Sequence, residues 1–255
     1  MMSEAAGSER KLQLGAVLQD TMQALRQAPA VFFGLSALLV GLPGVVFLYQ
    51  QAQGPTEPEA IFADPVYWVR TLVSMLLASL FYGAAFTAVA ELRRGEQPVL
   101  GRCFRAGVTY FIPIFAVTVI STIGVMGGLI LLIIPGLMLL VAWSVAAPAL
   151  LHERGSPTWV LGRSAELSRG HRWRIFGLFL LVGMTMFLAQ VGLGALGLGA
   201  GFGSEGGLGP VQLVGSAVLS TLTGAFWAAM IAVLYAHLRG LKEGFGRGSA
   251  ADVFA

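Results

Sequence analysis

The chain has 255 residues, 56% of them hydrophobic and only 11% charged, with a net charge of +3. Soluble domains carry about 25% charged residues, so this composition cannot cover a water-facing surface and excludes an ordinary soluble fold. The basic residues sit at the ends of apolar runs and form no separate basic domain, which argues against nucleic acid as a partner.

Residues 1–10 read as a polar tail. MMSEAAGSERKLQL has no apolar core followed by a small-residue cleavage site, so no cleaved signal peptide is expected. Leu14, Val17, Leu18, Met22 and Leu25 then recur at helical spacing among Gln19, Asp20, Gln23 and Arg26. That pattern predicts an amphipathic helix lying at a membrane surface. A first span follows over residues 29–50, with Pro43-Gly44 expected to kink its far end. The loop after it holds Glu57, Glu59 and Asp64 and is stiffened by prolines; a second span covers 67–91.

LRRGEQPVLGRCFRAG then supplies Arg93, Arg94, Arg102 and Arg105. Cys103 is the only cysteine, so no intrachain disulfide or Cys-based zinc or haem motif is possible. It reads as a small residue of an interfacial helix. From Tyr110 to Leu151 there is no Asp, Glu, Lys, Arg or His. Since ~20 helical residues span ~30 Å of hydrocarbon, this run is long enough to cross twice. Spans over 108–130 and 131–151 are predicted, with a turn somewhere between Gly127-Gly128 and Pro135-Gly136.

The basic stretch His152 to Arg174 carries Arg154, Arg163, Arg169, Arg172 and Arg174. Ser156-Pro157 is an N-cap and first-turn pair that predicts a helix to about Ser168. Val160, Leu161, Ala165 and Leu167 would face the membrane; Arg163, Glu166 and Arg169 would share a wet face. A fifth span over 173–199, a Gly-rich loop and a sixth span over 211–238 complete residues 11–240 as one domain. Residues 241–255 read as a cytoplasmic tail.

The charge map supports this count. With the N-terminus in the cytoplasm, every Lys and Arg except Arg70 falls on the cytoplasmic side, as the positive-inside rule requires. The expected fold is an all-α membrane protein with six transmembrane helices, cytoplasmic amphipathic interfacial helices and both termini cytoplasmic. Val99-Leu100-Gly101-Arg102 and Val160-Leu161-Gly162-Arg163 each precede an outward-going span. With the Leu14–Leu25 helix they suggest three repeats of one interfacial helix plus two spans.

No span carries an ionisable residue near its centre, which argues against an ion-coupled pump. Gln190, Thr118, Ser121, Thr122, Ser144 and Thr185 are expected to bond within the bundle, often to their own helix. In the last span Ser216, Ser220, Gly224, Ala228, Ala232 and Ala236 recur every four residues. Such a stripe lets helices approach closely in lipid and is read as intramolecular packing, with Gly192, Gly194, Gly197 and Gly199 as its expected partner surface. His152, His171 and His237 lie near the cytoplasmic interface with Glu91, Glu153 and Glu166, but no spacing such as H-E-x-x-H accompanies them. No metal, cofactor or catalytic residue is assigned.

Ile134-Pro135-Gly136, Trp143, Pro148, Glu153, Arg163-Ser164, Leu167, Gly170 and Trp173, with the closing Tyr235-Ala-His-Leu238-Arg239, resemble the bacterial YciC-like families. These include the membrane domain attached to some glycerophosphoryl diester phosphodiesterases. The resemblance implies a six-helix bundle of the bacterial inner membrane. The short tail leaves no room for the catalytic barrel, so the phosphodiesterase activity is not expected.

The leading functional expectation is a non-catalytic scaffold or accessory protein in envelope or lipid physiology. Anionic lipid headgroups would contact Arg102, Arg105, Arg163, Arg169, Arg172 and Arg174, and a second copy or another membrane protein is a further expected partner. A transporter or channel for a lipid-like or small apolar solute is the alternative, and an interfacial membrane enzyme using His152, Glu153 or His171 is the third.

Overall fold

The computed structural model describes residues 12–53, 58–153, 155–196 and 209–243. The tail 1–10, Glu57, Arg154, Gly197, Gly199, most of the Gly-rich loop and the tail beyond Glu243 lie outside the described residues. Six helical stretches are long and apolar enough to cross a membrane: Ala30–Gln50, Pro65–Arg93, Leu100–Leu131, Ile133–Glu153, Arg172–Ala195 and Pro210–Glu243. Among the described residues there is no strand. The chain is an all-α membrane protein.

The fold divides into two compact units, one made of Ala24–Phe115 and Leu180–Ala229 and the other of the remaining residues. The helices, in order, are α1 (Leu14–Gln27), two five-residue π-helical segments at Ala30–Gly34 and Ala37–Gly41, α2 (Leu42–Ala52), α3 (Pro58–Ala63), α4 (Pro65–Arg93), α5 (Leu100–Leu131), α6 (Ile133–Trp143), α7 (Ala146–Glu153), α8 (Pro157–Ser168), α9 (Arg172–Ala195) and α10 (Pro210–Glu243).

In the Ala24–Phe115 and Leu180–Ala229 unit, the irregular part of span one precedes Pro43 instead of following it. Pro43 has no N–H for the Leu39 carbonyl, and the chain ahead of it is wound with the wider π register. This brings Gly41 against Thr221 and the Ala217 carbonyl of α10. The Ser36 hydroxyl donates to the Thr221 carbonyl at 2.9 Å. A Cβ on Gly224 would lie 3.0 Å from Ser36 Oγ and 3.4 Å from Val40 Cγ1. Gly224 and Ser220 of the α10 stripe therefore lie beside span one here. Gly192 of α9, expected as its partner, would meet nothing within 4 Å of an added Cβ.

The loop after span one contains the short helix α3, and Asp64 caps α4 by accepting from the Val66 N–H at 2.9 Å. At the other end of α4, Gly95 adopts φ +75. Its N–H bonds the Leu92 carbonyl, and the Glu96 N–H bonds the Glu91 carbonyl. That reciprocal pair is a Schellman stop, which requires the left-handed residue that glycine tolerates. α4 and α5 cross closely at Gly83 and Gly107, where a Cβ on Gly83 would lie 3.0 Å from Gly107 Cα. The amphipathic segment expected before span three is not a helix of its own. Val99 accepts from the Cys103 N–H, and one helix runs from Leu100 to Leu131 with Pro113 inside it.

In the second unit, α5 and α6 meet at a single extended residue, Leu132 (φ −159, ψ 138), which locates the turn left open by the sequence. Gly128 and Gly136 allow the close approach: a Cβ on Gly128 would lie 2.9 Å from Gly136 Cα. Gly124 receives the Trp143 ring. Span four is interrupted at Ser144-Val145, four residues before Pro148, whose missing N–H leaves the Ser144 carbonyl without a helical donor. The Ser144 hydroxyl turns back to the Val141 carbonyl at 2.8 Å.

α8 begins and ends where the sequence predicts. Ser156 Oγ accepts from the Trp159 N–H at 3.4 Å, and Pro157 occupies the first turn. Arg169 is extended and Gly170 takes φ +90, which ends the helix. Val160, Leu161, Ser164 and Leu167 are buried. Replacing Ser156 with alanine should lower stability by about 0.5–1 kcal/mol, the lower part of the N-cap range because the bond is long. A lower midpoint of thermal unfolding in detergent, restored by Ser156→Asp, would check it.

Candidate functional site

Among the described residues, the largest grouping of interacting charges lies in the second unit, where the ends of α7 and α10 meet α8. Glu153 is the last residue of α7. Arg163 and Glu166 stand three apart on α8, and Tyr235, Arg239 and Glu243 stand four apart on α10. Each spacing puts its members on one helical face. Arg163 is central: Nε donates to Glu153 Oε2 at 2.9 Å and Oε1 at 3.3 Å, Nη1 to Glu166 Oε2 at 3.2 Å, and Nη2 to Glu243 Oε1. The Tyr235 hydroxyl donates to Glu153 Oε1 at 3.0 Å, and Arg239 Nε donates to Glu243 Oε2 at 2.6 Å. The His152 ring stacks on Tyr235, 5.3 Å between centroids and 10° from parallel.

The Arg163 side chain is 18% exposed and that of Glu153 14%, so the two sit largely out of water. Burial works against the charge on Arg163, but bonds to Glu153 and Glu166 outweigh it and hold the guanidinium above its ordinary pKa. It stays protonated at any physiological pH. Arg163 was expected on a wet face with Glu166 and Arg169. Only Glu166 shares a bond with it, and Arg163 turns inward because two further carboxylates, on α7 and α10, are within its reach.

The other expected headgroup contacts are dispersed. Arg102 lies 3.6 Å from Glu91 and donates to the Gln97 carbonyl at 3.1 Å. Arg105 and Arg169 are exposed. Arg174 donates to the Leu12 carbonyl at 3.2 Å, anchoring the chain ahead of α1. Arg172 is half-buried, and its Nε finds no hydrogen-bond partner among the described residues. Cys103 is buried, 3.9 Å from Glu91 Oε2, and does not face the solvent as a reactive thiol.

Two contacts are absent from the sequence expectations. His237 Nε2 lies 2.9 Å from Asp20 Oδ2, linking α1 to α10, and Glu243 bridges two arginines. The only sequence signal was the i, i+4 placement of Arg239 and Glu243. Ser164 donates to the Ala142 carbonyl at 2.7 Å and fastens α8 onto α6. Among the described residues no three His, Cys, Asp or Glu side chains are grouped to hold a metal ion. Ser216, Ala228 and Ala232 are buried, and Ser220 is half-buried and lies beside Gly44. Thr185 bonds the carbonyl of Leu181, four residues back in its own helix.

No protein-family model matches the chain, and neither a curated protein nor a solved structure matches it.

Proposed function

We propose that this protein is a non-catalytic scaffold or accessory protein of a bacterial inner membrane, with both termini cytoplasmic, that serves envelope or lipid physiology. The observation that carries the reading is the closed cluster around Arg163. Glu153, Glu243 and Tyr235 are spent on Arg163 and on one another and fasten α7, α8 and α10 together. Arg105, Arg169 and Arg172 remain as the basic groups for anionic headgroups, each worth about 1 kcal/mol near a charged leaflet. Membership of the YciC-like group is part of the proposal. What supports it is that Glu153, Arg163 and Tyr235, three of the residues carrying the resemblance, form one hydrogen-bonded cluster.

The transporter reading keeps a place because span one is π-wound over two stretches, and π segments recur at sites that move or bind. Purified protein in liposomes with a fluorescent phospholipid separates the two. A scaffold leaves the lipid's transbilayer rate at that of protein-free vesicles. A rate raised tenfold or more sinks the scaffold reading.

A further inference from the structure

Arg70 is the one basic residue that the charge map places away from the cytoplasmic side, and the network above does not use it. It is half-buried near the start of α4. Its Nη1 donates to Gln50 Oε1 at 3.3 Å, its Cζ stands 5.0 Å over the Phe47 ring, and its buried Nε has no partner among the described residues. No carboxylate among the described residues pairs with it, so a full positive charge is held by a neutral amide and a ring face. A half-buried cation left in this state favours an anion, which would reach it through the Nη groups, since the Nε is closed off.

Beside it is a cavity of about 410 Å³ between span one and α4. Leu39, Pro43 and Phe47 line one wall and Tyr67, Ser74 and Ala78 the other. Phe47 joins the two features, since it walls the cavity and carries the guanidinium on its ring. The volume is in the ~300–1,000 Å³ range of small-molecule sites. The walls are mostly apolar and belong to membrane-spanning helices, which suits a hydrocarbon tail. Tyr49 and Trp68, both about half exposed, mark the depth of Arg70 as the headgroup level, where aromatic residues gather.

We infer that this is a binding site for one anionic phospholipid, with its phosphate on Arg70 and an acyl chain in the cavity, in the leaflet opposite the basic loops. The site lies on the side without the arginines invoked under the proposed function, so it stands whether or not those bind lipid.

The test is native mass spectrometry of the full chain in detergent, titrated with dioleoyl phosphatidylglycerol. The wild type should retain one lipid at this site, in addition to any held by the cytoplasmic arginines. Arg70→Gln should weaken that binding about tenfold, the scale of one charge-assisted hydrogen bond. Ala78→Phe, which fills the cavity and leaves Arg70 in place, should weaken it comparably. Lys242→Gln, a basic change away from every proposed lipid contact, should leave it unchanged, and glycerol phosphate at millimolar concentration should not displace the lipid. Wild-type binding by both Arg70→Gln and Ala78→Phe overturns the site. So does displacement by glycerol phosphate, or an equal loss in the Lys242→Gln variant. Helicity by circular dichroism checks folding, and Arg70→Lys, which keeps the charge without the planar fork, should bind between wild type and Arg70→Gln.

Discussion

Replacing Arg163 with alanine is expected to destabilise the protein by about 3 kcal/mol, within the range for breaking a buried ion pair. The cost comes from what is left behind. Glu153 and Glu243, 14% and 24% exposed, lose their shared counter-ion and keep their charges away from bulk water. Arg239 still neutralises Glu243, so Glu153 bears most of the loss. Adding Glu153→Gln to the variant should recover a large part of the stability, because it removes the stranded charge. Glu166→Gln should cost under ~1 kcal/mol, as its side chain is 61% exposed and screened by water. Unfolding midpoints in a mixed-micelle SDS titration would rank the four proteins. Equal losses for Arg163→Ala and Glu166→Gln would show that burial does not set the strength of this cluster.

Leucine at Gly224 is expected to cost about 2–3 kcal/mol, the upper part of the range for overpacking. Its Cβ would already press on Ser36 and Val40, and the rest of the side chain would part span one from α10 and break the Ser36–Thr221 bond. The same change at Gly192 should stay within about 0.5 kcal/mol, since an added Cβ there meets nothing within 4 Å. The pair separates two uses of small residues in membrane helices. If Gly224→Leu instead left the unfolding midpoint in place and altered only the oligomeric mass, the stripe would be a face between copies. Gly192 would then need testing as its complement.

These contrasts follow the division between what could be read from the residues and what could not. Helix existence was legible because lipid leaves the backbone no other partner than itself, so apolar length alone marks a span. Local stops were legible where a residue's own chemistry sets them. Ser156-Pro157 opens α8 with a hydroxyl cap, whereas the left-handed Gly170 that closes it was not singled out as a stop. The segment before span three was misread as a separate helix because basic residues and a valine-leucine-glycine pattern resemble an interfacial helix. One helix runs from Leu100 to Leu131, and not even Pro113 ends it.

The sequence by itself determined the class of protein and the six apolar stretches, because each depends on local composition set against a fixed solvent thickness. Only the tertiary structure decided the pairings. The choice of span one over α9 as the partner of Gly224 depends on contacts between residues far apart in the chain. So do the inward turn of Arg163 toward Glu153 and Glu243, and the link between His237 and Asp20. No local periodicity encodes such contacts; they follow from which shapes and charges can be satisfied together once the helices are packed.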